Sequence, residues 1–378
     1  MTTHTTHMTA HMTTTHMTTA LAADVTDLVR ESLGDPLADI ARRYVEPVGH
    51  DTTSISTTGL HRVRGTTTDG RPWSFFVKSI HSLKHWPLIG TVPAPVRAEI
   101  IARFPWRADA DTYLAGPPLP EGLRLPRLYR VDDLGDDRLV LWLEDVRTAP
   151  AAWDLDRYRR AAGLLGALAA MRPATGPPDG PGTPPDPGLR VYCAGPVQHF
   201  LSILRDPATW RHPLVARYAD DLLRADLLAL GDRIGPLLAA VERLPHALGH
   251  GDASPQNLLV PADGSAQFVA VDWGWGCPAA IGFDLGQLLV GLAHAGLTEP
   301  AELPAIHEAI EPAYAAEVDA APDQVAFGYA ATLVLRNAWT ALPLDHLEEQ
   351  PTPRLHELFR KRAGLARFIA DLGRSLTS

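Results

Sequence analysis

Cysteine is nearly missing from this chain: Cys193 and Cys277 are the only two among 378 residues. Two cysteines make no disulfide framework and show no metal-ligand spacing, so both are expected to be packing residues in a protein of the reducing cytoplasm. Long apolar runs are also missing, and nothing approaches the roughly 18 consecutive apolar residues of a membrane span. Basic residues are in deficit, 34 Lys and Arg against 44 Asp and Glu, for a formal net charge of -10. Without a general basic face to displace counterions, neither nucleic acid nor an anionic membrane is expected as the main partner. The opening "MTTHTTHMTAHMTTTHMTTA" lacks the basic and apolar regions of a signal peptide. A Thr/His/Met repeat of this kind buries too little apolar surface to offset its ordering entropy, so residues 1–20 are expected to be a disordered tail. Its histidines, His4, His7, His11 and His16, fix no metal geometry at that spacing. Deleting residues 1–19 is therefore expected to leave the melting temperature unchanged, as calorimetry would read it.

What is present is enough apolar material, 46% of the chain, for two lobes with cores of their own. "ADVTDLVRESLG" places Val25, Leu28, Val29 and Leu33 at helical spacing. Between residues 51 and 80, β-branched and aromatic runs broken by "DG" read as a hairpin from Val63 to Phe75. A helix is expected over "PVRAEIIARFPWRADADTYLAG", then two strands over "RLYRVDD" and "RLVLWLEDV". Residues 21–146 thus read as a small, mostly antiparallel lobe with one helix, and 147–378 as a larger, mainly helical lobe: an α+β architecture. In the second lobe Asp154 is a plausible N-cap for a helix whose apolar face holds Leu155, Tyr158, Ala162 and Leu165. Residues 172–188 are too rich in Pro and Gly for helix or strand.

One stretch of the helical lobe differs in texture. "HGDASPQNLLV" supplies a carboxylate at Asp252 and a carboxamide at Asn257 ahead of a short β run, and "FVAV" returns after a turn to Asp272. A hairpin of this kind brings Asp272 back beside Asn257, so a carboxylate and an amide oxygen can share one hard cation while Asp252 stays free as a base. Phosphoryl transfer needs those parts, a metal to neutralise nucleotide phosphates and a carboxylate to orient the acceptor hydroxyl.

"HGDASPQN" followed by "VDWG" resembles the catalytic loop and metal-binding turn of the aminoglycoside phosphotransferase family, small-molecule kinases with a two-lobed protein-kinase-like fold. Trp273 stands where protein kinases usually carry the Phe of D-F-G. The resemblance implies ATP (or GTP) and Mg²⁺ as cofactors, Asp252 as catalytic base, Asn257 and Asp272 as metal ligands, and His250 as a scaffold for the loop. It also implies a phosphate-pairing lysine on a strand of the small lobe, which "WSFFVKSI" offers at Lys78. The lysine's helix partner is expected at Asp109, with Asp111 and Glu99 as competitors, although the family more often has Glu. The nucleotide loop before the second strand is poor in glycine, leaving backbone amides and the hydroxyls of Ser56, Thr57 and Thr58 to cradle phosphates. Backbone groups near Trp142, Leu143 and Glu144 are expected at the adenine edge. Asp284 is either an N-cap or, as the family implies, an anchor for the catalytic-loop backbone. G-x-G-x-x-G is absent from "GWGCPAAIGFDLGQLL", so a dinucleotide site is not expected.

The acceptor implied is a small hydroxyl compound, such as an aminoglycoside or another natural-product antibiotic. Choline-, homoserine- and sugar-kinase-like metabolite kinases and a non-catalytic, nucleotide-binding pseudokinase stand as alternatives. Residues 299–323 hold seven carboxylates and no Lys or Arg, a run that suits a cationic acceptor by charge complementarity.

Overall fold

The computed structural model describes residues 20–49, 54–150, 152–174 and 188–376. Two compact units emerge, Met1–Pro117 with Leu125–Arg147, and Pro118–Arg124 with Thr148–Ser378. The first holds an antiparallel sheet and the second is mainly helical, the α+β architecture that the sequence predicts. Residues 1–19 lie outside the described residues, and with them the histidine-rich repeat.

The sheet of the first unit runs in the order β1 (Ile40–Val48), β2 (Thr57–Thr67), β3 (Pro72–His81), β6 (Arg138–Glu144), β5 (Leu128–Asp133). The "DG" turn joins β2 to β3, with Gly70 at φ 87° and the Thr67 N–H donating to the Arg71 carbonyl at 2.9 Å. Alternation along β3 sends Trp73, Phe75 and Val77 to one face. There they join Val63, Val140 and Trp142 in a core closed by Leu28 and Val29 of helix α1 (Thr26–Leu33). Ala20 and Leu21 belong to this core, Ala20 being 6% exposed, so the expected disordered segment cannot extend to residue 20. The helix expected over 95–116 is two, α2 (Ala94–Arg103) and α3 (Ala108–Ala115). Pro105 separates them: it has no N–H to donate and forces the preceding Phe104 into extended backbone, φ -68°, ψ 122°.

In the second unit Asp154 caps α4 (Leu155–Met171), accepting from the Arg157 N–H at 2.8 Å. Tyr158, Ala162 and Leu165 are buried as expected, but Leu155 is 38% exposed because the helix starts there and its first side chain faces outward. Residues 175–187 of the Pro/Gly-rich stretch lie outside the described residues. Short helices follow over 189–216, then α5 (Asp221–Gly231) and α6 (Ile234–Val241). The β texture of residues 246–280 forms two small sheets. In one, β7 (His246–Leu248) pairs antiparallel with β10 (Pro278–Ala280). In the other, the order is β4 (Leu123–Arg124), β9 (Phe268–Ala270), β8 (Leu258–Leu259). The β4 strand was not foreseen; it pairs parallel with β9 and draws residues 118–124 into the second unit.

Four longer helices complete the unit: α7 (Phe283–His294), α8 (Leu303–Ala315), α9 (Pro322–Asn337) and α10 (Pro353–Ser375). The α9 helix lies deepest, with Val325, Tyr329, Leu333, Val334 and Leu335 each at 0% exposure. Cys193 and Cys277 are buried thiols outside any disulfide, and burial pushes the Cys193 thiol up to about 12, so it packs rather than reacts. Among the described residues no helix is long and apolar enough to cross a membrane.

Candidate active site

The β8–β9 hairpin sets the geometry of the polar loop. Leu258 pairs with Ala270 and Leu259 with Val269, and the Val271 N–H then donates to the Asn257 carbonyl at 2.9 Å. That closing bond brings Asp272 off the strand beside Asn257. Asp272 has φ 64°, a left-handed conformation that disfavours L residues by about 1–2 kcal/mol and that Asp tolerates better than most. Held strain of this kind concentrates at functional positions.

Asp252 is surrounded by donors. The Asn257 amide nitrogen donates to the Asp252 carbonyl at 2.9 Å and to its Oδ2 at 3.1 Å. Gln287 of α7 donates from Nε2 to Oδ1 at 2.9 Å. Arg336 of α9 lies 3.5 Å from the same oxygen and also donates to the Gly251 carbonyl. Burial pushes the Asp252 carboxyl above the usual range, the Arg336 guanidinium pulls it back, and the nearby Asp272 charge adds to the rise.

The residues before Asp252 are shaped to hold it. Gly251 has φ 84°, and a Cβ there would sit 1.9 Å from the Trp275 carbonyl, so only glycine fits. His250 is fully buried. Its Nε2 donates to the Val271 carbonyl at 3.0 Å and its Nδ1 accepts from the Asp252 N–H at 3.2 Å, a partner set that fits the Nε2–H tautomer. The ring also packs on Trp273 at 4.4 Å between centroids, and Trp273 donates to the Ala270 carbonyl at 3.0 Å.

Asp284 sits in the first turn of α7, whose N-cap is Gly282. Its Oδ2 accepts from the His250 N–H and its Oδ1 from the Gly251 N–H, each at 2.8 Å, and it is 5% exposed. Of the two readings for Asp284, these contacts are those of a loop anchor. Asp284→Ala removes two charge-assisted bonds and leaves two buried N–H groups unpaired, a loss expected at about 3–5 kcal/mol. A chemical-denaturation midpoint that did not move would refute it.

In the first unit, Lys78 Nζ meets Asp109 Oδ2 at 2.7 Å, their side chains 8% and 3% exposed. The competitors are elsewhere: Asp111 pairs with Arg107 and Glu99 with Arg103, both on the exposed side of their helices. Asp109 is buried with Ala110 and Tyr113 on the inner face of α3. Of the loop hydroxyls, Ser56 and Thr57 mark the entry to β2, and residues 50–53 lie outside the described residues. Thr58 departs from expectation, because its hydroxyl donates to the Ser79 carbonyl at 3.2 Å rather than facing outward.

Trp142, Leu143 and Glu144 also differ from the reading given them. Trp142 and Leu143 pair with β3 on one side and β5 on the other, and the Glu144 N–H donates to the Arg127 carbonyl at 2.8 Å. With Trp142 and Leu143 inside the sheet and the strand ending at Glu144, the chain past the ladder begins at residue 145. The Trp142 ring is fully buried and donates to Asp132 at 2.8 Å.

Two residues at Asp252, Gln287 and Arg336, were not foreseen, nor was Asn337, which meets Gln287 at 3.4 Å. All come from helices, and their signal in the sequence is polar side chains interrupting apolar runs, "DLGQLLVGL" and "TLVLRNAW". Two carboxylates of the acidic run 299–323 take up other work. Glu299 pairs with Arg360 at 2.7 Å and Lys361 at 2.8 Å, and Glu302 caps the Glu299 N–H at 2.8 Å.

Several solved structures of small-molecule kinases are similar to this chain at low identity. An aminoglycoside phosphotransferase from Alicyclobacillus acidocaldarius matches at 16% identity and a TM-score of 0.48, covering 89% of this chain and 92% of its own. An aminoglycoside phosphotransferase from Streptomyces rimosus, solved with ADP and streptomycin, matches at 18% identity and 0.42, covering 83% and 99%. A choline kinase from Streptococcus pneumoniae matches at 14% and 0.41, covering 90% and 98%. No curated protein matches at a significant level. The profile of the phosphotransferase enzyme family matches residues 115–327, more than half of the chain and all of the loop from His250 to Asp284, and the chain belongs to that family.

Proposed function

We propose that this kinase transfers the γ-phosphoryl group of ATP (or GTP), with Mg²⁺, to a hydroxyl of a small molecule. The observation that supports this best is the joint arrangement of Asp252, Asn257 and Asp272 at the end of one hairpin. In the step itself the acceptor oxygen bonds the γ-phosphorus and the bond to the bridging oxygen breaks. The nucleoside diphosphate leaves, and the hydroxyl proton passes to the Asp252 carboxylate. Gln287 and Asn257 hold that carboxylate by one oxygen each, and its raised proton affinity suits a base that must accept a proton late in the transfer.

The donor set fits a magnesium ion. Asp272 brings a carboxylate, and Asn257, its nitrogen committed to Asp252, turns its amide oxygen the other way, giving two hard oxygen donors. Bound there, the ion would neutralise charge on the transferring phosphoryl group. Lys78, fixed by Asp109, would pair with nucleotide phosphate oxygens, and the Ser56 and Thr57 region would cover them. Adenine recognition would fall to the backbone at the end of β6, from Glu144 through residue 147.

Incubation with ATP or GTP, Mg²⁺ and a panel of aminoglycosides, choline, homoserine and sugars tests the proposal, with ADP or GDP release and product mass as readouts. A product heavier by one phosphoryl group is the expected result. Nucleotide binding without transfer to any hydroxyl would make the protein a pseudokinase instead.

A second reading of the acceptor has specific support. Glu299 is already neutralised by Arg360 and Lys361, and the Arg336 guanidinium lies 3.5 Å from the Asp252 carboxylate. These contacts favour an uncharged polyhydroxyl compound over a polycation. Its kcat/KM should then stay flat as ionic strength rises. A cation steered by exposed carboxylates would instead lose kcat/KM, since such attraction is screened beyond about 8 Å at physiological salt.

A further inference from the structure

Asn337, the last residue of α9, is 4% exposed, and its Oδ1 is buried without a hydrogen-bond partner among the described residues. A buried carbonyl left unpaired requires a cause, and the contacts supply one. Asp252 offers only acceptor oxygens, so the amide of Gln287 must turn its nitrogen toward Oδ1, where it donates at 2.9 Å. That orientation leaves the Gln287 Oε1 pointing away, toward α9. It can be met only by a donor, and Asn337 presents its Nδ2 there at 3.4 Å. Flipping Asn337 would satisfy its orphaned oxygen no better and would set oxygen against oxygen at Gln287. The polarity of the whole file is thus dictated from the carboxylate outward, and the unpaired Oδ1 is what remains at its far end.

We infer that Gln287 and Asn337 are positioning residues that fix the orientation of the Asp252 carboxylate from two helices, α7 and α9. The inference rests on the reading of Asp252 as the base. Neither residue supplies charge, and neither touches the proposed metal ligands. Gln287 limits rotation of the Asp252 carboxylate about its last torsion, so that Oδ2, shared with Asn257, keeps its direction. Asn337 limits rotation of the Gln287 amide in turn. Orientation of a reacting group to within a fraction of an ångström is what such supporting contacts provide.

The test uses the full chain and reads ADP release from Mg²⁺ and ATP, with water as acceptor and with whichever panel compound is phosphorylated. Gln287→Met keeps length and volume but removes the donor. It is expected to lower kcat by about 10- to 100-fold, the usual range for an outer supporting contact, with KM for ATP changed by no more than about twofold. Asn337→Ala should lower kcat by less, and should have no further effect once Gln287 is Met, because the two act in series. In an Asp252→Ala background Gln287→Met should change the residual rate little. Melting temperatures separate the effect from general damage: Asn337→Ala also removes an unsatisfied carbonyl, so its stability should fall far less than its kcat. Wild-type kcat in Gln287→Met, or equal fractional losses with and without Asp252, would overturn the inference. Wild-type turnover in Asp252→Ala alone would instead overturn the assignment of the base.

Discussion

Asp252→Ala is expected to lower turnover by about 10²- to 10⁴-fold, the usual range for loss of a general base or its orienting role, while nucleotide affinity changes little. Binding and chemistry should separate because of how the loop is held. Its backbone is fixed by Asp284 through the His250 and Gly251 N–H groups and by Arg336 on the Gly251 carbonyl. None of these contacts uses the Asp252 side chain, so the loop should keep its shape when that side chain is cut. The check is kcat by ADP release beside nucleotide Kd by calorimetry. Equal turnover would remove Asp252 from the mechanism; a collapse of both quantities would mean that the side chain holds the loop.

Asp272 should show the opposite pattern. Asp272→Ala is expected to abolish the Mg²⁺ dependence of nucleotide binding, since Asn257 alone presents no charge to a divalent ion. The left-handed backbone at φ 64° complicates an alanine, which tolerates that region less well than aspartate. Asp272→Asn is the cleaner partner variant: it accepts the same backbone and removes only the charge. Both should lose Mg²⁺-dependent affinity, and only the alanine should also lose stability, by about 1 kcal/mol. A calorimetric titration that keeps its Mg²⁺ dependence in both variants would exclude Asp272 as a ligand.

What could be read from the sequence was local. Asp252, Asn257 and Asp272 lie within one loop and one hairpin, so a polar string followed by a β run, a turn and a second β run was enough to bring them together. Lys78 at the end of a strand and Asp109 on the following helix were picked out by the family resemblance, which calls for a strand lysine and a helix carboxylate there. The misreadings share a different origin. Trp142, Leu143 and Glu144 look like the end of a strand, but which of their backbone groups are free depends on β3 and β5 flanking them. Thr58 looks like a loop hydroxyl until Ser79 of the next strand claims it. Gln287 and Arg336 reach Asp252, and Asn337 reaches Gln287, through helix packing, across sequence separations that no spacing rule covers. The break at Pro105 was legible and was passed over because the flanking apolar residues kept a helical period.

The β4 strand bears on where the polypeptide can be divided. Its two residues precede β5 and β6 of the first unit, yet they form one side of the sheet in which β9 is the middle strand. A fragment starting at Thr148 would therefore keep β8 and lose β4, laying open one edge of Phe268, Val269 and Ala270, residues at 2%, 0% and 0% exposure in the intact chain. An uncovered apolar edge is a template for intermolecular pairing, so such a fragment should aggregate even though its helices are complete. The helical half is encoded in two separate stretches of chain, and the shorter one covers an edge of β9 that the longer one leaves open.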